Sequence, residues 1–83
     1  MTAQQLEAKI WQVEGIRVVI RVGKHVDCND YAYVNASSDN WRISELANGR
    51  IRPAVKPHDF IIVQGNGTVP SGHMLLRTLR ATY

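Results

Sequence analysis

Apolar residues recur along this chain with two different periods, and the period changes at Gly15. Upstream of it, Leu6, Ile10 and Val13 follow helical spacing, Thr2 stands in cap position and Gln5 follows three residues later. That pattern predicts a helix from Thr2 to Val13 with a capping box at its start. Gly15 supplies the left-handed residue that commonly closes a helix, and Trp11, beside the apolar stripe, is expected to wrap onto the core. Downstream, Ile16, Val18, Ile20 and Val22 alternate with Arg17, Val19 and Arg21, which predicts a strand with one buried face. Arg17 and Arg21 then stand about 13 Å apart on its other face, a spacing suited to successive phosphates or acidic side chains. A solvated sheet face is the plainer alternative.

Gly23 to Asp30 is polar and turn-rich, and Tyr31 to Ala36 reads as a short second strand, with Tyr31 and Tyr33 on one side and Ala32 and Val34 on the other. A hairpin with the first strand is the economical pairing. Exposed tyrosines near two arginines resemble a stacking platform for bases, although aromatic residues also favour strands for packing alone. Trp41 to Arg52 is predicted as a helix with Ile43, Leu46, Ala47 and Ile51 on one face, weakened at Gly49 and stopped by Pro53. Phe60 to Gln64 is apolar on both faces, as expected of a strand in the middle of a sheet. A loop with three glycines follows, and then a predicted C-terminal helix. There Leu75, Leu76, Leu79 and Tyr83 form the apolar arc, and His73, Arg77 and Arg80 form a cationic stripe beside it.

These elements predict one α+β domain over residues 1–83, with a small three-stranded mixed sheet and N-terminal, central and C-terminal helices. If the third strand runs parallel to the first, the crossover through the central helix is right-handed. From Ile16 to Leu79 the order of elements, with the strand, turn and PSGHMLLRTL segment, resembles a reduced β-grasp in topology. The leading helix and the missing final strand depart from that fold.

Composition narrows the setting. The chain has 83 residues, 45% of them hydrophobic and 20% charged, which is globular rather than disordered composition. Its one cysteine, Cys28, permits no internal disulfide and fits a reducing compartment. The N-terminal stretch has no secretion-signal pattern and no apolar run approaches a membrane span, so a cytoplasmic location without membrane contact is expected. A formal net charge of +3 permits attraction to phosphates or acidic proteins without requiring either.

The chemistry suggested by motif is thin. Gly65, Gly67 and Gly72 follow a strand and precede a helix, the right context for a phosphate loop. Pro70, however, stands where a dinucleotide loop needs its third glycine, and His73 stands where a Walker loop needs lysine. Turn formation is the better reading of those glycines. His25 and Cys28 lack the second ligand pair that a zinc site needs, and no nucleophile motif or informative carboxylate pair is present. The chain is therefore expected to be a non-enzyme without metal or cofactor. The first expectation for function is a protein-binding accessory module, an adaptor or inhibitor of a larger complex, that meets an acidic protein surface or a nucleoprotein complex through a basic, arginine-rich surface. The candidate contacts are His73, Arg77, Arg80, Arg50, Arg52, Tyr31 and Tyr33. The alternative is a nucleic-acid-binding accessory domain that uses the same cations, with Lys56, on phosphates and a tyrosine for stacking. Oligomeric state is left open.

Overall fold

Thr2 and Gln5 start the first helix as their spacing predicts. In the computed structural model, which describes all 83 residues, helix α1 spans Ala3–Glu14. Gln5 N–H donates to Thr2 Oγ1 at 3.2 Å and Thr2 N–H donates to Gln5 Oε1 at 2.9 Å. Gly15 closes the helix with φ 69° and donates its N–H back to Trp11 O. Leu6 and Ile10 are fully buried on the inner face, and Glu14, one further turn along, is buried with them. The loop after the first strand returns to this helix and serves its free N-terminal amides: Ala3 N–H reaches Val26 O at 2.8 Å and Gln4 N–H reaches Lys24 O at 3.1 Å.

Strand β1, Arg17–Ile20, alternates outward and inward as predicted, with Val18 and Ile20 in the core and Arg17 and Val19 outside. Its partner is β2, Phe60–Val63, paired antiparallel in the register Arg17 with Val63 through Ile20 with Phe60. These two strands are the whole sheet. The expected three-stranded mixed sheet is thus not formed: the chain has no hairpin between its first two predicted strands and no parallel crossover, and the likeness to a β-grasp falls with them. The reason lies in Tyr31 to Ala36, which forms no strand. Tyr31 turns its ring inward to 2% exposure and donates its hydroxyl to Glu14, while Asn35 O accepts from the Arg50 guanidinium at 2.9 Å. Side chains hold this segment where a ladder was expected.

The central helix also runs further than Pro53 suggests. Helix α2, Ile43–Leu46, passes through a π-helical turn at Ala47–Ile51 into α3, Arg52–Val55, so the three pieces form one helical body. In an ordinary helix the proline ring collides with the carbonyl four residues back. Here Arg52 N–H bonds Ala47 O, five residues back, and the wider turn leaves Pro53 in the first turn of α3, where its missing N–H is tolerated. The body ends at Lys56, whose extended ψ of 141° is the conformation favoured before Pro57.

At the C-terminus, helix α4 spans only Leu76–Arg80, so His73 lies ahead of it in a turn where its N–H meets Ser71 Oγ at 3.2 Å. Leu76 and Leu79 are fully buried, and Leu76 N–H bonds Trp41 O just ahead of α2. The architecture is therefore α+β, three helical bodies around a two-stranded antiparallel sheet, with 15 buried apolar residues in a single core. No helix is long and apolar enough to cross a membrane.

Two loop glycines have structural causes. Gly67 takes φ 86°, which side chains resist. Gly65 lies against the chain end: its N–H donates to Thr82 Oγ1 at 2.8 Å, and a Cβ there would overlap the Thr82 carbonyl oxygen. Gly65→Ala is accordingly expected to lift the tail and cost about 1 to 3 kcal/mol, read as a lower thermal midpoint with increased exchange of the Arg17 amide that Tyr83 now holds.

Candidate functional site

Glu14 organises one side of the molecule. Its position continues the Leu6 and Ile10 stripe of α1, so the helix carries a carboxylate into the core. Oε2 accepts the Tyr31 hydroxyl at 2.6 Å and the Arg50 guanidinium at 2.8 Å. Oε1 accepts Ser37 N–H at 2.8 Å and Ser37 Oγ–H at 2.7 Å, with Arg80 Nη2 at 3.4 Å. No buried side-chain polar atom lacks a partner. Burial pushes the Glu14 carboxyl up, but the hydrogen bonds from Tyr31, Ser37 and Arg50 together outweigh it and hold the group below its ordinary value. Tyr31 moves the other way: burial first, then the hydrogen bond it donates to Glu14 and the charge of that group, raise its phenol far above the normal range.

Arg80 clamps the same region. Its Nε donates to Glu14 O at 2.7 Å, serving a free carbonyl of the last turn of α1, and its Nη1 reaches Ser37 O at 2.9 Å and Asp39 Oδ1 at 2.6 Å. Arg50 lies with its guanidinium carbon 4.1 Å over the Tyr33 ring and 5.6 Å from the Trp41 ring.

Of the seven contact residues expected from sequence, four are therefore gathered here: Tyr31, Tyr33, Arg50 and Arg80 form or cover the Glu14 cluster, which ties α1, the 31–39 segment, the central helical body and α4 together. Arg52 is elsewhere, 5.2 Å over Phe60 and bonded to Asn48. His73 and Arg77 are exposed, and neither side chain makes an ion pair. The structure does not bring the seven into one surface.

A different surface combines exposed aromatic, aliphatic and cationic groups. On the outer face of the sheet Arg17 stands opposite Val63 and Val19 opposite Ile61. Trp11 is 40% exposed beside them rather than wrapped onto the core, because Arg17 lays its guanidinium 4.5 Å over the indole and Tyr83 meets that ring edge-on at 5.4 Å. The Tyr83 hydroxyl is inserted into the end of the ladder, accepting from Arg17 N–H at 3.0 Å and donating to Val63 O. Burial raises the Tyr83 phenol above its ordinary value. A groove of about 470 Å³ runs between α1 and the sheet here, walled by Gln4, Glu7, Ala8 and Trp11 on one side and by Arg17, Val18, Val19 and Val63 on the other. The alternation of β1 marks Arg17 and Arg21 as outer-face cations, whereas the sequence pattern places Tyr83 in an apolar arc and Trp11 beside one. The long-range approach of the chain end to β1 is what brings Tyr83 beside Trp11 and Arg17.

No group of three or more His, Cys, Asp or Glu side chains is placed to hold a metal ion. No protein-family model matches the chain, and neither a curated protein nor a solved structure matches it.

Proposed function

We propose that this protein is a small, non-enzymatic protein-binding module, an adaptor or inhibitor that meets an acidic partner in the cytoplasm, where Cys28 remains a thiol. The observation that carries the reading is the Trp11, Arg17 and Tyr83 group at the mouth of the groove. Tryptophan, tyrosine and arginine dominate interface hot spots, and here all three are accessible and already held in place by one another. Arg17 forms no ion pair within the chain, so its charge is available to a partner. The nucleic-acid reading has less support: Arg50 and Arg80 are engaged with Glu14, and Tyr31 is inside the core.

The test is a pull-down with and without nuclease, followed by Trp11→Ala. A stoichiometric complex that survives nuclease and weakens by about 2 kcal/mol, roughly thirtyfold, on Trp11→Ala is expected. Loss of all retained material on nuclease treatment would favour nucleic acid and sink the proposal.

A further inference from the structure

On the floor of the groove lies a rung of β1 at Val18, a residue only 5% exposed, whose backbone groups face the groove. Opposed residues in an antiparallel ladder alternate between pairs that exchange two hydrogen bonds and pairs that exchange none. Arg21 N–H bonds Asp59 O at 2.8 Å, which puts Arg21, Val19 and Arg17 at the exchanging positions and turns the backbone groups of Val18 and Ile20 away from β2. Ile20 is closed within the chain: its N–H donates to Glu7 Oε2 at 2.8 Å and its C=O accepts from Val22 N–H at 2.9 Å. Val18 has no such partner for either group, and it lines the groove. One rung of β1 is thus unpaired, with Arg17 on one side of it and the Glu7 stop on the other.

Resting on the protein-binding reading above, we propose that the partner enters this groove as an extended acidic segment and adds to β1 as a third strand, exchanging both bonds with Val18 and placing a carboxylate on Arg17. Strand addition to an exposed edge takes its affinity from the backbone and its specificity from alternate side chains. Charge selects the occupant. Arg17 lies over the Trp11 ring without an internal carboxylate, and a guanidinium can meet a carboxylate in two-point geometry. A second copy of the chain would bring another Arg17 and Arg21 to this edge, and like charges across a strand pair repel.

The geometry also orders the segment. Antiparallel addition is the more stable form, and in it the residue after the one facing Val18 stands opposite Arg17, while the residue before it stands opposite Val19. Both flanking side chains point to the outer face, beside Val63, and the middle one points toward the α1 wall of Gln4 and Ala8. The segment therefore reads, from N to C, apolar, small, acidic. Its acid lies about 10 Å along the strand from the Ile20 end that Glu7 occupies, far enough to limit repulsion between them.

A capped pentapeptide Thr-Val-Ser-Asp-Thr, its reversed-order counterpart and its Asp-to-Lys counterpart test this by amide hydrogen exchange of the intact protein at low salt. With the first peptide at ten times its Kd, the Val18 amide, which has no partner in the free chain, is expected to exchange about tenfold more slowly. Arg17→Glu is expected to lose the aspartate peptide and gain the lysine peptide. Absence of binding, binding that leaves Val18 exchange unchanged, or equal affinity for the reversed order overturns strand addition. If a nuclease-resistant complex still weakens on Trp11→Ala in that event, the protein-binding reading stands without it.

Discussion

Glu14→Ala is expected to lower the thermal midpoint by roughly 15 to 30 °C, because removing one partner of a buried, hydrogen-bonded charge cluster costs about 3 to 5 kcal/mol and each kcal/mol moves a domain of this size by several degrees. A chain of 83 residues has a total stability of only about 4 to 12 kcal/mol. The loss strands the Tyr31 hydroxyl and the Ser37 amide and leaves two guanidinium groups facing each other, 18% and 19% exposed, with no carboxylate between them. Circular-dichroism melting checks the size of the effect; a shift of less than about 5 °C would mean that the cluster is dispensable to the fold. The pH dependence carries a sign. Glu14 binds its proton less readily in the folded chain than in the unfolded one, so its contribution is present above the ordinary carboxyl value of 4.5 and is lost as pH falls through the lower folded value. Tyr31 acts at the other extreme. Its raised phenol gives stability that is full below the unfolded value near pH 10 and declines above it. Glu14→Gln is therefore expected to be less stable at neutral pH and flatter toward acid.

What was legible in the sequence was local. Thr2, Gln5 and Gly15 determine the ends of α1 through contacts within a few residues, and the alternation from Ile16 to Ile20 orients β1 without reference to any other segment. Partner choice was not legible. The β1 and β2 segments are separated by about forty residues, and neither alternation nor an apolar run states which strand it will meet or in which direction. Tyr31 satisfied a strand pattern and a buried hydrogen-bonded tyrosine equally well, and the choice depended on a carboxylate seventeen residues away. Glu14 itself offered a usable clue, since Leu6, Ile10 and Glu14 recur every four residues and put it on the core face. Once one carboxylate is known to be inside, its cations must be found, and ten Lys and Arg residues give no indication of which two approach it.

Arg80→Glu and Arg77→Glu, neighbours on α4, are expected to differ by at least about 3 kcal/mol in stability, although helical spacing places both in one cationic stripe. Arg80 donates to Glu14 O, Ser37 O and Asp39, and a glutamate in its place would set a third carboxylate beside Glu14 and Asp39 while uncapping the last turn of α1. Arg77 is exposed and only its backbone is engaged, its N–H donating to Asp39 O at 3.2 Å and its C=O accepting from Ala81 N–H at 3.1 Å, so its reversal should change stability by less than about 0.5 kcal/mol. Urea titration of the two variants, with Arg80→Met to separate charge from stem packing, decides the matter: the expected order is Arg77→Glu near wild type, Arg80→Met lower and Arg80→Glu lowest. An Arg80→Glu chain with an unchanged midpoint would restore Arg80 to the surface and with it the stripe. In the expected case a binding defect in a chain with both arginines reversed reports unfolding, and Arg77→Glu alone is the variant that tests whether the C-terminal cation touches a partner.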